Sequence, residues 1–419
     1  MIKVDYLILG GGIAGTTAAE TIRQIDPTGR IVIVERERQM LYSRVVLPEY
    51  LSQQLQLEKV LLRRAQDYQT KHIELVYAEV ERVDFNNRSI NFKDGREIIY
   101  QEILIALGTE PKRLNVPGSE LNGIHNIYAL SDCDKILSDI NNVTDILIVG
   151  GGFIGLEAYE AFAHLKDKKV TMLSRSPWYF FPKLDPMAGQ IIQSAMVENG
   201  TNVVVEDQVT EYIGHDRIEK ARTQQGQEIP CQLVVEGIGV KRRVGLFRGS
   251  DLNFAEDGIG TNQFMQTNLP HVWAAGDIAN FIDLSTGQQH STGTWSNAAG
   301  HGRVAGTNMA RVKLNISEPL AEFNAVHSYT VVAPGINLTL IGNVDDGPGY
   351  YMITKAENDS YTRLIIDERN NQIDGAIILN DTKSLAVIKR LMFRHTDIGQ
   401  YVQNLKKSNR GFGELLKGV

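Results

Sequence analysis

Two glycine sets with the same spacing carry the clearest chemical signal in this chain of 419 residues. They are Gly10, Gly12 and Gly15, and then Gly150, Gly152 and Gly155. In the pattern G-x-G-x-x-G the first glycine permits a tight turn, the second lets the backbone approach a pyrophosphate, and the third allows close helix packing. The N–H groups and the dipole at the start of the following helix favour the phosphate charge. Both sets predict dinucleotide-binding loops.

The residues at the end of the next strand differ between the two copies. Glu35 stands there after the first loop, where a carboxylate can accept both ribose hydroxyls of a dinucleotide. After the second loop the chain has Ser174 followed by Arg175. A hydroxyl and a guanidinium suit a 2′-phosphate, which a carboxylate would repel. The pattern slightly favours NADPH over NADH; the alternatives are that Arg175 only caps a surface loop and that Gly155 suits NADH equally.

Each glycine set lies between an apolar strand and a helix, and a second apolar strand follows the helix. The first strands are residues 6–9 and 146–149, and the second strands are residues 31–34 and 170–173. Two such βαβ units predict two doubly wound, Rossmann-like domains in an α/β chain. A further strand and turn at residues 272–277 comes long after the second unit. We therefore expect the first domain to close around an inserted second domain.

From about Phe323 the sequence changes to short β-prone runs separated by Gly-Pro-Gly and Asn-Asn turns, and two helical stretches follow. This texture predicts a small C-terminal α+β domain. The predicted boundaries are residues 1–115 with 243–322 for the first nucleotide domain, 116–242 for the second, and 323–419 for the C-terminal domain.

Composition excludes several classes of protein. The formal net charge of −7 argues against nucleic-acid binding, and the basic clusters at residues 241–243 and 406–407 are interpreted as solvated surface. Cys133 and Cys231 are the only cysteines, so a disulfide framework or a four-cysteine zinc or iron–sulfur site cannot be built. The histidines show no metal-ligand pairing, and no metal is predicted. No stretch has the features of a signal peptide or of a membrane span, and the expected location is the cytoplasm.

Two further motifs complete a family pattern. Trp273 to Asp277 reads Trp-Ala-Ala-Gly-Asp, and Tyr42 to Arg44 reads Tyr-Ser-Arg. With the two glycine loops, they make the chain resemble the two-dinucleotide-binding-domain flavoproteins of the pyridine nucleotide-disulfide oxidoreductase superfamily. The resemblance is closest to the branch of rubredoxin reductases, ferredoxin reductases and the flavin domain of assimilatory nitrite reductases. It implies that the first loop binds FAD and the second binds NAD(P)H.

The resemblance implies roles for single residues on the FAD side. Asp277 would contact the ribityl chain, and Arg44 would face the pyrophosphate. Val80 would make a backbone contact to adenine, and Lys112 stands where the family often has an arginine that touches FAD. Trp295 would line the flavin.

On the nicotinamide side the resemblance implies one catalytic residue, Glu157, which would position the nicotinamide near the flavin. The remaining predicted cofactor contacts lie within or beside the motifs above. They are Ile13, Ala14, Arg36, Ala106, Gly108, Phe153, Ile154 and Gly239.

The chain departs from the family at two places. Disulfide reductases carry two cysteines after the first βαβ unit and related peroxidases carry one, but residues 42–50 here contain none. A thiol relay at the flavin is thereby excluded. Ferredoxin reductases often have a lysine beside the flavin, and here Pro48-Glu49 stands in that segment. A Lys–Glu pair with Glu157 is therefore in doubt.

The predicted function is an FAD-dependent NAD(P)H oxidoreductase that takes hydride onto flavin and passes electrons to a small carrier such as rubredoxin or ferredoxin. One alternative is an NAD(P)H oxidase or quinone reductase. Another is an NADH-sensing flavoprotein that resembles apoptosis-inducing factor. Whether the chain forms a homodimer stays open at this point.

Overall fold

A computed structural model gives the fold of residues 2–282, 289–291, 293–345, 347–408 and 410–417. The chain divides into two compact units. The first unit comprises Met1–Val45, Gln56–Glu110 and Val240–Ala325, and the second comprises Val46–Leu55, Pro111–Gly239 and Val326–Val419. The second unit therefore contains residues 116–239 of the predicted second nucleotide segment and residues 326–419 of the predicted C-terminal segment.

Some strands are separated by helices, and others follow one another along the chain without an intervening helix. The strands are β1 Ile2–Leu9, β2 Ile31–Glu35, β3 Ile73–Tyr77, β4 Val80–Asp84, β5 Ser89–Phe92, β6 Glu97–Ile105, β7 Thr109–Pro111, β8 Ile124–His125, β9 Asp145–Val149, β10 Lys169–Leu173, β11 Asn202–Val204, β12 Val209–Gly214, β13 Ile218–Thr223, β14 Glu228–Pro230, β15 Leu233–Glu236, β16 Val240–Arg242, β17 Phe254–Ala255, β18 Gly258–Gly260, β19 Val272–Ala274, β20 Ala279–Ile282, β21 Gln289–His290, β22 Ser328–Ala333, β23 Ile336–Gly342, β24 Tyr350–Glu357, β25 Ser360–Asp367 and β26 Ile373–Leu379.

The helices are α1 Ile13–Ile25, α2 Leu47–Leu51, α3 Leu57–Val60, α4 Ala65–Thr70, α5 Leu130–Ile140, α6 Phe153–Ala163, α7 Pro186–Glu198, α8 Trp295–Lys313, α9 Thr382–Phe393, α10 Val402–Lys407 and α11 Phe412–Leu415. Short 3-10 turns lie at Gly245–Phe247, Gly276–Ile278 and Gly399–Tyr401. No described helix is long and apolar enough to cross a bilayer. The short helix α2 packs against α5 and α6, which explains why residues 46–55 belong to the second unit.

The first unit is built on a sheet with the order β3-β2-β1-β6-β5-β4, and β19 pairs with β6. The strand β1 is parallel to β2 and to β6, as a doubly wound fold requires. Tyr6 and Ile8 belong to one buried cluster, and Leu7 and Leu9 belong to another. Because successive strand residues face opposite sides, this division shows that the sheet is buried on both faces.

The second unit contains a parallel sheet with the order β11-β10-β9-β15-β8 and an antiparallel sheet with the order β22-β23-β26-β25-β24. The helices α9, α10 and α11 share one apolar cluster with the antiparallel sheet, since Ile388, Leu405 and Phe412 pack with its strand residues. The two glycine loops follow the carboxyl ends of β1 and β9, which are central strands that pair in parallel with both of their neighbours. Ligands of doubly wound folds bind at that edge.

Candidate functional site

The first glycine loop joins β1 to α1 and leaves open space beside its middle glycine. Gly10 has φ +108°, and a Cβ atom there would lie 2.3 Å from the Ala106 oxygen. A Cβ atom on Gly15 would lie 2.0 Å from the Gly10 oxygen, so both positions require glycine. A Cβ atom on Gly12 would meet nothing within 4 Å. The loop is closed by backbone contacts at its ends and open at Gly12, which fits a pyrophosphate. We call this loop, together with Glu35 at the end of the next strand, the first cradle.

Ile13 and Ala14 begin α1 beside this open space. Gly12 is the N-cap and makes no side-chain capping hydrogen bond. The first N–H groups of a helix have no partner within the helix, so they can donate to a phosphate. A Cβ atom on Gly276 would lie 3.1 Å from the Ala14 Cβ. The turn that carries Asp277 therefore lies against the start of α1.

The Glu35 carboxylate is held against the same loop. One oxygen accepts the Gly11 N–H at 2.6 Å, and the other accepts the Arg36 N–H at 2.7 Å. The backbone oxygen of Glu35 accepts the N–H of Ala78 at 3.1 Å, two residues before Val80 at the start of β4. Glu35, Arg36 and Val80 thus lie at one end of the cradle. A carboxylate fixed there can accept ribose hydroxyls.

The Asp277 carboxyl group stands among two arginines of the first unit. Burial raises its pKa to about 6, and the charges of Arg44 and Arg242 oppose that rise. The Arg242 Nε donates to the Asp277 backbone oxygen at 2.9 Å, and the Arg242 side chain is only 17% exposed. The interpretation of Arg242 as solvated surface is therefore wrong, because its guanidinium lies inward against this turn. A ligand that hydrogen-bonds to Asp277 would offset part of the desolvation of the carboxylate.

Two other predicted FAD contacts, Trp295 and Gly108, also belong to the first unit. Trp295 is the first residue of α8, and a Cβ atom on Gly276 would lie 3.7 Å from the Cβ of Ala298 one turn later. Gly108 has φ +63°, and its oxygen accepts the Arg243 N–H at 3.2 Å. The structure thus places Trp295 near the Asp277 turn, and it places Gly108 beside the basic cluster.

Lys112 and Gly239 form a pair in the second unit. The Lys112 N–H donates to the Gly239 oxygen at 2.9 Å, and Gly239 has φ +102°. A Cβ atom on Gly239 would reach the Lys112 Cδ at 4.0 Å. The two predicted contacts are therefore neighbours in space.

The second glycine loop repeats the geometry of the first. Gly150 has φ +135°, and a Cβ atom there would lie 2.2 Å from the Gly237 oxygen. A Cβ atom on Gly155 would lie 2.2 Å from the Gly150 oxygen, whereas one on Gly152 would meet nothing within 4 Å. The open space beside Gly152 fits a second pyrophosphate. We call this loop, together with Ser174 after the next strand, the second cradle.

Ser174 occupies the place in the second loop that Glu35 occupies in the first. A Cβ atom on Gly151 would lie 2.5 Å from the Ser174 Oγ, just as one on Gly11 would approach the Glu35 carboxylate. The Ser174 Oγ accepts the Ser176 N–H at 3.2 Å, and the Arg175 side chain is exposed. This end of the second cradle therefore presents a hydroxyl and an exposed cation.

Three aromatic rings pack together at tilted and edge-to-face angles beside the second loop. Phe153, the first residue of α6, has its ring centroid 3.7 Å from that of Tyr329 and 4.6 Å from that of Phe180. The backbone of Ile154 packs against Gly237, because a Cβ atom on that glycine would lie 3.2 Å from the Ile154 carbonyl carbon. The sequence gives no local signal for Phe180 or Tyr329 as neighbours of Phe153, since Tyr329 lies far along the chain.

The predicted catalytic residue, Glu157, is one turn after Phe153 in α6. The Tyr329 hydroxyl donates to the Glu157 Oε1. Burial raises the pKa of Glu157 to about 6, the Tyr329 hydrogen bond opposes that rise, and the charge of Glu49 adds to it. The Glu49 Oε2 is buried with no hydrogen-bond partner among the described residues. Instead of a Lys–Glu pair, the chain has a tyrosine bound to Glu157 and a second carboxyl group beside it.

Glu160 extends this cluster and gives a pH-dependent prediction. Burial, and then the charges of Glu49 and Glu157, raise the pKa of Glu160 to about 8. The folded chain holds this proton while the unfolded chain loses it near pH 4.5, so wild-type stability falls between pH 4.5 and about 8. We expect Glu160→Gln to raise Tm by about 2–4 °C at pH 8 and to leave it unchanged at pH 4.5, after discounting for partial exposure. Calorimetry across that range measures the difference.

Glu198→Gln, at the exposed end of α7, is the matched control. It removes the same formal charge from the same unit without removing a carboxyl group from the cluster. Equal Tm differences for the two variants at every pH would contradict the assignment of the raised pKa to Glu160.

Cys133 and Cys231 are buried and are not joined in a disulfide, and burial raises the pKa of Cys231 to about 12. Both thiols are therefore shielded from solvent, and the Cys231 thiol keeps its proton at neutral pH. Across the described residues, no group of three or more His, Cys, Asp and Glu side chains is arranged to hold a metal ion.

Comparison with known families gives two matches. Residues 4–302 match the family described as pyridine nucleotide-disulphide oxidoreductase. Residues 331–396 match the family described as rubredoxin NAD+ reductase C-terminal domain. The second match lies inside the segment that the sequence predicted as a separate α+β domain.

Curated relatives cover most of the chain. A nitrite reductase [NAD(P)H] of Bacillus subtilis is 25% identical over 404 residues, which are 96% of this chain and 48% of the relative. The ferredoxin–NAD(+) reductase component of the biphenyl dioxygenase system of Paraburkholderia xenovorans is 25% identical over 411 residues, 98% of each protein. Human apoptosis-inducing factor 3 is 30% identical over 323 residues, 75% of this chain and 52% of the relative. The chain spans about half the length of the first and third.

Solved structures share the fold. The covalent putidaredoxin reductase–putidaredoxin complex matches with a TM-score of 0.87 and 20% identity, over 100% of this chain and 99% of that one. The NADH:rubredoxin oxidoreductase of Clostridium acetobutylicum matches with a TM-score of 0.77 and 21% identity, over 96% and 99%. These matches confirm the predicted α/β fold class.

Proposed function

The chain belongs to the pyridine nucleotide-disulphide oxidoreductase family, and on that premise we propose that it is an FAD-dependent NAD(P)H reductase that delivers electrons to a small carrier protein. Membership confirms the family resemblance seen in the sequence. The observation that carries the proposal is the pair of matching cradles with different ends. One is closed by the Glu35 carboxylate, and the other by Ser174 and Arg175.

The first cradle fits FAD. The open space at Gly12, the N–H groups that begin α1 and the carboxylate of Glu35 suit the adenosine diphosphate half. Asp277 and Arg44 supply an acceptor and a cation for the ribityl chain and the pyrophosphate. When bound, the flavin would supply the redox chemistry, accepting a hydride and releasing electrons singly.

The second cradle fits NAD(P)H, and we propose a slight preference for NADPH. Arg175 is exposed and can donate to a 2′-phosphate, and Ser174 adds a neutral hydroxyl that does not repel it. Tyr329 holds the Glu157 carboxylate in one orientation beside Phe153. That arrangement supports a positioning role for Glu157.

We propose a carrier protein as the acceptor because no thiol is available for a relay. The segment 42–50 has no cysteine, and both cysteines of the chain are buried. The three relatives described above that this chain covers over at least 98% of their length are named as reductases of ferredoxin, putidaredoxin or rubredoxin. A small one-electron carrier is the acceptor that those names have in common.

Anaerobic titration tests the proposal. The purified protein is loaded with FAD, reduced with NADPH or NADH, and then mixed with oxidised rubredoxin or a [2Fe–2S] ferredoxin while absorbance is followed. We expect bleaching of the flavin by either nucleotide and reduction of at least one carrier. Failure to bind FAD would overturn the proposal, and rapid oxygen consumption with no carrier reduction would support an oxidase instead.

A further inference from the structure

Phe181 presents an unusually exposed aromatic ring in the loop between β10 and α7. Its side chain is 49% exposed, and its ring makes an edge-type contact with Trp178, at a centroid distance of 5.1 Å and an angle of 81°. Trp178 is itself fixed, because its Nε1 donates to the Leu184 oxygen at 2.7 Å. A Cβ atom on Gly189 would lie 2.6 Å from the Trp178 side chain, so the indole is seated against α7. The chain therefore supports the Phe181 ring without covering it.

The same loop is tied to the second glycine cradle. The Phe180 N–H donates to the Gly151 oxygen at 2.7 Å, and a Cβ atom on the same glycine would lie 2.5 Å from the Ser174 Oγ. Phe180 has φ +61°, and its ring centroid lies 4.6 Å from that of Phe153. Phe181 therefore comes directly after a residue that is hydrogen-bonded to the second glycine loop, and its side chain is half exposed to solvent.

We propose that Phe181 is the stacking platform for the adenine base of the nicotinamide cofactor. The proposal rests on the proposed function of the second cradle and names a residue that determines its affinity. The adenosine half of a dinucleotide lies at the end of the second strand of the βαβ unit, which is here Leu173 and Ser174. A flat apolar ring held open to solvent at that place can stack on a purine, and stacking covers the exposed face of the ring.

A comparison of cofactor fragments measures this role. ADP-ribose carries the adenine, and reduced nicotinamide mononucleotide lacks it. We expect Phe181→Ala to weaken ADP-ribose binding about tenfold, the loss typical of one base–aromatic stack. Phe181→Trp retains a flat ring and should retain the affinity. The rate of flavin reduction by the mononucleotide should be the same in all three proteins.

Met187→Ala is the matched control, since Met187 is 52% exposed on the neighbouring first turn of α7. It should leave ADP-ribose affinity unchanged. Equal ADP-ribose affinity in wild type and Phe181→Ala would overturn the inference while the proposed function stands. If Phe181→Ala lowered the rate with the mononucleotide by the same factor as the affinity for ADP-ribose, the inference would also be overturned. The substitution would then act on the fold and not on the adenine. If wild type carrying FAD bound neither NADH nor NADPH, the proposed function itself would fail.

Discussion

Replacing Gly12 by valine should abolish FAD binding in an otherwise folded chain. A Cβ atom at Gly12 meets no atom within 4 Å, and the backbone there is extended with φ −66°, so the protein itself tolerates a side chain. The branched side chain would instead fill the space that a pyrophosphate needs against the backbone. We expect at least about 100-fold weaker FAD binding, equivalent to about 2.8 kcal/mol or more. Flavin fluorescence and absorbance after dialysis measure it.

Gly152→Val is the internal control, because Gly152 has the same open environment in the second loop. That variant should keep FAD and lose NAD(P)H binding. Circular dichroism should show both variants folded, whereas Gly15→Ala should damage folding because a Cβ atom there would lie 2.0 Å from the Gly10 oxygen. Retention of FAD by Gly12→Val with loss from Gly152→Val would assign the two cradles the other way round.

The local pattern was enough to predict the parts of the fold that a single βαβ unit determines. The glycine spacing, the buried strand before it and the acid after the next strand are all set within about 30 residues, as in other units of this kind. Gly10 and Gly15 make backbone contacts that only glycine permits, and Glu35 reaches back to Gly11. Such short-range constraints leave a readable pattern in the sequence.

Contacts between distant segments left no comparable pattern. Arg242 lies inward against the Asp277 turn, although three consecutive basic residues are typical of a solvated surface. Tyr329 donates to Glu157 across 172 positions of sequence. In the sequence, Glu49 stands out only because the family often has a lysine in that segment. The structure is needed to show that the charge of Glu49 acts on Glu157 and Glu160. These partners are selected by tertiary packing, which periodicity and spacing do not encode.

The preference of the second cradle should reverse when Ser174→Glu is combined with Arg175→Ala. Glu35 shows that the fold accepts a glutamate at this place, because its carboxylate reaches the Gly11 N–H at 2.6 Å. The new carboxylate would accept ribose hydroxyls and repel a 2′-phosphate, and the loss of the guanidinium removes a charge-assisted hydrogen bond of about 1.5–3 kcal/mol. We expect kcat/KM for NADPH to fall by at least about 100-fold relative to that for NADH. Initial rates of flavin reduction with each nucleotide measure the ratio.

Lys166→Ala separates this local effect from the loss of a positive charge in general. Lys166 is exposed and precedes β10, whereas Ser174 follows it, so the two lie toward opposite ends of the strand. Its removal should leave the NADPH to NADH ratio within about twofold of wild type, because exposed charges farther apart than about 10 Å are largely screened at 0.1 M salt. The single change Arg175→Ala should lower the ratio by about tenfold, with the remaining loss due to the carboxylate. A double variant whose ratio stays within threefold of wild type, on the order of 0.6 kcal/mol, would show that the 2′-phosphate does not contact this end of the cradle.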